Sequence, residues 1–150
     1  WRFELVPAGA GQVMVASSAG GSRVKLGTRL AWPIADSLLV RADSVAFPPG
    51  GCAYLHTHQG PGIRCLIEGG VRIDTNGRST SYAAGGAWFE AGPVPVFAQA
   101  AADRPSRFIR VMILPARLKG LSSISYVNTE DRDKPKSQSY KIFIDSPISV

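Results

Sequence analysis

The chain has 150 residues, 45 % of them hydrophobic and 19 % charged, which suits one globular core and excludes a disordered segment or a peptide held only by disulfides. Its formal net charge is +6, yet the seventeen lysines and arginines are scattered and no basic run reaches five, so a solvated basic surface is expected and no nucleic-acid partner. The sequence contains no window of about eighteen apolar residues, so no spanning helix and no membrane partner is expected. The compartment stays open: a soluble protein, cytoplasmic, or exported if a leader preceded Trp1.

Sixteen glycines and eleven prolines cut the chain into short segments, which favours strands joined by turns over long helices. Phe3 to Val6, Val13 to Ala16 and Val24 to Leu26 read as edge strands or an ordered arm. Leu38 to Phe47 is strand-like and stops at Pro48-Pro49-Gly50-Gly51. The next strand runs from Gly51 to His58. Residues two apart on a strand share a face, so His56 and His58 are expected to point the same way, with Cys52 and Tyr54 beside them.

After the turn from Gln59 to Gly62, Ile63 to Glu68 reads as the return strand of a hairpin centred on Gly60. Cys52 and Cys65 then take opposite parities and are expected as free thiols. Val71 to Thr75 and Arg78 to Tyr82 flank Asn76-Gly77, the dipeptide preferred where both turn residues need positive φ. Ala87 to Glu90 is a short strand, Gly92-Pro93-Val94-Pro95 a stiff corner, and Val96 to Gln99 the strand beyond it. Phe108 to Leu114 is apolar enough to be central and ends at Pro115. One helical turn is expected within Ala116 to Ser123, a charged exposed loop over Thr129 to Lys136, and a last strand over Tyr140 to Ile144. No internal repeat and no second domain boundary is visible: one domain over 1–150, with a barrel core at about 37–114.

Two convergent imidazoles are half of a transition-metal site. Gln59, Gln99 and Glu68 are candidate further donors; otherwise the pair lines a polar pocket and hydrogen-bonds to neighbours. Arg64 lies across the expected hairpin from His56 and points inward, where a guanidinium needs a partner. That partner is either Glu68 on the same face or an anionic ligand held by two parallel hydrogen bonds. Tyr54 is pocket lining or a proton or hydrogen-bond donor. No Gly-x-Ser-x-Gly elbow, phosphate-cradling loop, His-Glu-x-x-His or Cys-x-x-Cys pair is present.

The spacing Gly50, five residues, His56-Thr57-His58, three residues, Gly62, six residues, Gly69 resembles the first motif of the cupin superfamily, with Gly62 at the motif's glutamate. The stretch from Gly85 to Val96 resembles the second motif in length and in its Gly/Pro corner, with Val96 at the third histidine and Ala100 at the asparagine. The resemblance covers about residues 37 to 114. It implies an all-β, cupin-type double-stranded β-helix (jelly-roll) barrel, a homodimer, a small-molecule ligand and a divalent transition metal (iron, manganese, nickel or zinc) on His56 and His58.

Two functional classes follow. One is a metal-dependent enzyme on a small oxygenated or carboxylate-bearing substrate, with Tyr54 as acid or hydrogen-bond donor and Arg64 orienting the anion. The other is a non-catalytic ligand-binding or sensing protein without a tightly held metal.

Overall fold

The computed structural model describes the backbone of residues 2–8, 11–17, 24–30 and 37–149, and the side chains of 3, 4, 24–30 and 37–149. Near the N-terminus, Arg2–Ala8 (β1), Gly11–Ser17 (β2) and Val24–Leu30 (β3) form a three-stranded antiparallel sheet in chain order. Eight strands follow: Leu38–Phe47 (β4), Cys52–His58 (β5), Gly62–Glu68 (β6), Gly70–Thr75 (β7), Arg78–Ala83 (β8), Ala87–Glu90 (β9), Val96–Ala100 (β10) and Ser106–Pro115 (β11). A 3-10 turn at Ala116–Leu118 lies within the stretch expected to hold one helical turn. Ile124–Tyr126 (β12), which the sequence pattern did not announce, and Ser139–Ile148 (β13), longer than expected, complete the chain.

The strands pair as nested partners: β4 with β11, β5 with β10, β6 with β9 and β7 with β8, all antiparallel. β11 also pairs with β6, and β10 with β7. This winding is the jelly roll, or double-stranded β-helix, the fold class expected. It yields two separately hydrogen-bonded sheets, ordered β12-β5-β10-β7-β8 and β13-β4-β11-β6-β9. At the Asn76-Gly77 turn both residues take positive φ, 51° and 68°, and Thr75 faces Arg78 as expected.

One expected pairing is corrected. β5 and β6 do not form a hairpin: β5 bonds to β10 and β12, β6 to β11 and β9, and residues 59–61 carry the chain from one sheet to the other. A Gly/Pro turn between two alternating runs serves a hairpin and a sheet crossing equally well, and only the long-range partners decide. The cysteines are nonetheless free. Cys65 lies on the outer face of its sheet, among Ile63, Ile113 and Leu38, where Phe3, Leu26 and Leu30 of the N-terminal sheet cover it.

Between the sheets the filling comes in layers. Val45, Phe47, Leu66, Trp88, Val96 and Phe108 belong to one apolar cluster, with Trp88 edge-on to Phe108 at 5.2 Å. Leu39, Met112, Leu114 and Leu118 form another at the far end of β4 and β11. A belt of charged and imidazole side chains separates them. The alternation places Leu39, Arg41, Asp43, Val45 and Phe47 on one face of β4, and Phe108, Arg110, Met112 and Leu114 on one face of β11.

Candidate functional site

Register assembles the belt. Arg110 stands opposite Asp43 on one side and opposite Arg64 on the other, so three charged side chains lie in a row across β4, β11 and β6. Asp43 accepts two parallel hydrogen bonds from Arg110, Nε to Oδ1 at 2.7 Å and Nη2 to Oδ2 at 2.9 Å, a bidentate pair that neutralises both buried groups. Arg64, 1 % exposed, is the largest fully buried side chain among the described residues; its Nη1 donates to the Gly62 carbonyl at 2.7 Å and its Nη2 lies 2.7 Å from Glu90 Oε2. Trp88 Nε1 donates to the other oxygen of Glu90 at 2.8 Å. Burial draws the Arg64 pKa down to about 10 while Glu90 holds it up, so the guanidinium is charged at neutral pH.

From the facing sheet come His56 and His58, 5 % and 4 % exposed, with their Nε2 atoms 3.2 Å apart. His56 Nδ1 is 2.6 Å from the Tyr54 carbonyl, which can only accept, so Nδ1 carries the proton and Nε2 of His56 presents a lone pair. His58 must then donate from Nε2, which leaves its Nδ1 as a buried acceptor without a partner. Glu90 Oε2 is 3.4 Å from His58 Nε2. Burial lowers the pKa of His56, partly offset by the Tyr54 bond and by Glu90. His58 is held well below its ordinary value, first by burial and then by Arg64, Arg110 and His56. Both rings are neutral near pH 7.

A bulge in β5 decides which residues accompany the histidines. Val96 faces His56 but Ala98 faces Ala53, so Tyr54 and Leu55 together span one position of β10. The extra residue reverses parity: Ala53 joins His56 and His58 along the interior, whereas Tyr54 does not. The structure thus brings His56, His58 and Arg64 together and leaves Tyr54 outside the cluster, beneath the ammonium groups of Lys134 and Lys136 at 5.2 and 5.5 Å from its ring. Cys52 goes with Tyr54, and its backbone N–H and carbonyl bond to the Ser137 hydroxyl.

The other candidate donors are elsewhere. Glu68 pairs with Arg107 at 2.8 Å on the surface, Gln99 donates to the carbonyls of Gly50 and Gly51, and Gln59 is exposed. Arg64 therefore has Glu90 as its carboxylate, not Glu68. Sequence reasoning missed Glu90, Asp43 and Arg110, although each left a signal: a charge inside an apolar run, on the parity of buried neighbours such as Trp88, Val45 or Phe108. The segment from Thr129 to Lys136 is not merely exposed, because Asp131 is buried and accepts from Lys134 and Asn128 while Lys136 bonds to the Asp131 carbonyl.

For the divalent metal that the resemblance implies, the cluster offers a partial donor set. The histidine pair suits it in part, since Nδ1 of His56 is held by a carbonyl and its Nε2 carries a lone pair, which here accepts from His58. The rest does not fit. Val96, opposite His56, offers no donor. A Cβ on Gly62 would come within 2.6 Å of the Val111 carbonyl oxygen, 2.8 Å of Met112 Cγ and 3.0 Å of Arg64 Nη1, so the position where the motif has glutamate admits no side chain. A permanent cation, Arg64, sits against the one nearby carboxylate. Among the described residues no group of three or more His, Cys, Asp or Glu side chains is arranged to hold an ion.

The inner cluster encloses only about 20 Å³, room for about one water molecule. Beyond Arg110, Ile124 and Tyr140, which border both spaces, a cavity of about 370 Å³ opens between β4, β12 and β13. Arg41 fixes its wall: Nε and Nη2 bond to Asp145 on β13, Nη1 to the Leu121 carbonyl and Nη2 also to the Leu118 carbonyl.

No family model and no curated protein matches the sequence. Among solved structures, the chain is similar to an RmlC-like cupin from Shewanella frigidimarina NCIMB 400, with 20 % identity, 77 % of this chain and 86 % of that one covered, and a TM-score of 0.46. It is similar to the DMSP lyase DddQ from Ruegeria pomeroyi DSS-3 at 20 % identity, covering 62 % of this chain and 44 % of that one, with a TM-score of 0.48. An oxalate oxidase in complex with the substrate analogue glycolate matches at 18 % identity over 53 % of this chain, with a TM-score of 0.46; the match spans 47 % of that chain, about half its length. The likeness is one of fold. Among the described residues no helix is long and apolar enough to cross a membrane.

Proposed function

We propose that this chain, whose jelly roll is of the cupin type, binds a small oxygenated or carboxylate-bearing molecule between its two sheets without a tightly held metal ion. The observation that carries this is Arg64. Its guanidinium crowds the space in which a side chain at position 62 would begin, so a charge of +1 lies where the motif has a carboxylate. Glu90 neutralises that charge and is itself engaged by Arg64 and Trp88, so it is not left free to ligate a divalent cation.

His56 and His58 serve as neutral hydrogen-bonding groups on the inner floor. Tyr54, the candidate acid, would act only if the β5 bulge shifted. A divalent ion on His56 and His58 is the competing reading, and the convergence of their Nε2 atoms at 3.2 Å favours it. Elemental analysis of protein purified without chelator decides: far less than one ion per chain is expected, and a stoichiometric ion that chelator removes would overturn the metal-free reading. Binding is tested by titrating small mono- and dicarboxylates into the protein.

A homodimer belongs to this proposal. It is supported by the apolar side chains of Ile142, Phe143 and Ile144, each about half exposed on the edge strand β13. A solution mass of twice 16.0 kDa is expected by light scattering.

A further inference from the structure

Resting on the between-sheet binding proposed above, we infer that the cavity between β4, β12 and β13 recognises a small monocarboxylate with an apolar body, and that Arg110, not Arg64, makes the contact with its anion. The inner cluster is too small for anything beyond a water molecule, whereas the outer cavity, at about 370 Å³, lies in the size range of ligand sites. Three cationic side chains line it, Arg41, Arg110 and Lys136, against one carboxylate, Asp43.

Two of the three are spent. Arg41 uses its nitrogens on Asp145 and the carbonyls of Leu118 and Leu121. Lys136 donates to the carbonyls of Asp131, Arg132 and Lys134 and rests 4.6 Å from the Tyr126 ring centroid.

Arg110 differs. It is 6 % exposed and fixed by Asp43 through Nε and Nη2, and the Tyr140 ring lies 5.4 Å from its central carbon. Nη1 makes no protein hydrogen bond among the described residues, and Arg110 lines the cavity. One held guanidinium with one nitrogen to offer suits one oxyanion, and the orientation costs little because Asp43 has already paid it. Leu121, Ile124 and Ile142 line the same cavity with hydrocarbon, which takes an aliphatic or aromatic body. Lys136 adds a further positive charge to a wall whose single carboxylate, Asp43, is engaged by Arg110.

Isothermal titration of the full chain with hexanoate and benzoate, against hexanamide and benzamide, tests this. The parent should bind each acid about tenfold or more tighter than its amide, as expected for a charged hydrogen bond. Arg110→Leu alone risks unfolding by stranding Asp43, so the working variant is Asp43→Asn with Arg110→Gln, which keeps a polar pair. It should lose the acid preference and hold amide affinity within about threefold. Ile142→Trp, which fills the cavity at its rim, should weaken all four probes.

If the acid preference survives in the Asp43→Asn/Arg110→Gln variant while Ile142→Trp still blocks binding, the role of Arg110 is overturned and between-sheet binding stands. If the acids bind and Ile142→Trp leaves them unaffected, the location is overturned as well. Failure of the parent to bind either acid overturns the ligand class.

Discussion

Followed along its strands, the space between the sheets holds two kinds of layer, apolar and charged, built from the same alternation and held by different physics. On β4 the inward residues run Phe47, Val45, then Asp43 and Arg41; on β11 Phe108, then Arg110; on β6 Leu66, then Arg64; on β9 Trp88, then Glu90. The change from hydrocarbon to charge falls at the same level on β4, β11 and β6, and one inward position further along on β9, where Trp88 faces Arg64 and Glu90 faces Gly62. The apolar region gains from burial at about 25 cal/mol per Å² and tolerates no gaps. The belt gains little net stability, because each ion pair offsets the desolvation of its own members. Hydrocarbon resumes beyond the belt at Leu39, Met112 and Leu114, so the charges interrupt a core that stability alone would have left continuous.

That contrast can be broken by mutation. In the apolar region Phe108→Ala should cost about 3–5 kcal/mol of unfolding free energy in a denaturant titration, since the cavity it leaves lies against Phe47 and Trp88. In the belt the cost should depend on pairing. Arg110→Leu should cost about 3–5 kcal/mol by leaving Asp43 buried and unpaired, whereas Asp43→Leu with Arg110→Leu should return close to the parent. If the double variant is as unstable as the single, the pair contributes net stability and the contrast between regions fails.

Acid should act on the belt and spare the apolar region. Burial holds the folded pKa values of His56 and His58 below the ordinary 6.5, so the unfolded chain binds more protons than the folded one between those values. Stability is therefore full above about pH 6.5 and falls progressively as pH drops toward the folded values. Denaturant titrations of the parent and of a His56→Gln/His58→Gln variant should show a smaller loss in the variant over that window. Equal losses would assign the acid sensitivity to other groups.

The smallest effect separates the two candidate partners of Arg64. Glu68→Ala removes an exposed contact to Arg107 and should change stability by less than about 1 kcal/mol. A Glu90→Ala change should exceed it clearly, because Arg64 is then left buried with only the Gly62 carbonyl. Thermal melts of the two variants under one buffer suffice.

Local chemistry carried a good deal of this protein in its sequence. Alternation and glycine/proline turns marked the strand positions, Asn76-Gly77 set its own hairpin because its φ values are intrinsic to those residues, and the spacing around His56-Thr57-His58 pointed to the jelly roll. What stayed hidden depends on partners distant in sequence. Whether residues 59–61 close a hairpin or cross between sheets is set by competition from β10 and β11. The β5 bulge exists because two residues of β5 oppose one of β10, and it reverses parity between Ala53 and His56, so counting by twos put Tyr54 on the wrong face. Arg64 was legible as an inward charge, but its carboxylate came from Glu90, at the end of what the sequence showed only as a short strand. Side-chain parity is local until an insertion in the pairing changes it; charge neutralisation is never local, because a buried ion takes whichever opposite charge the register of other strands brings within reach.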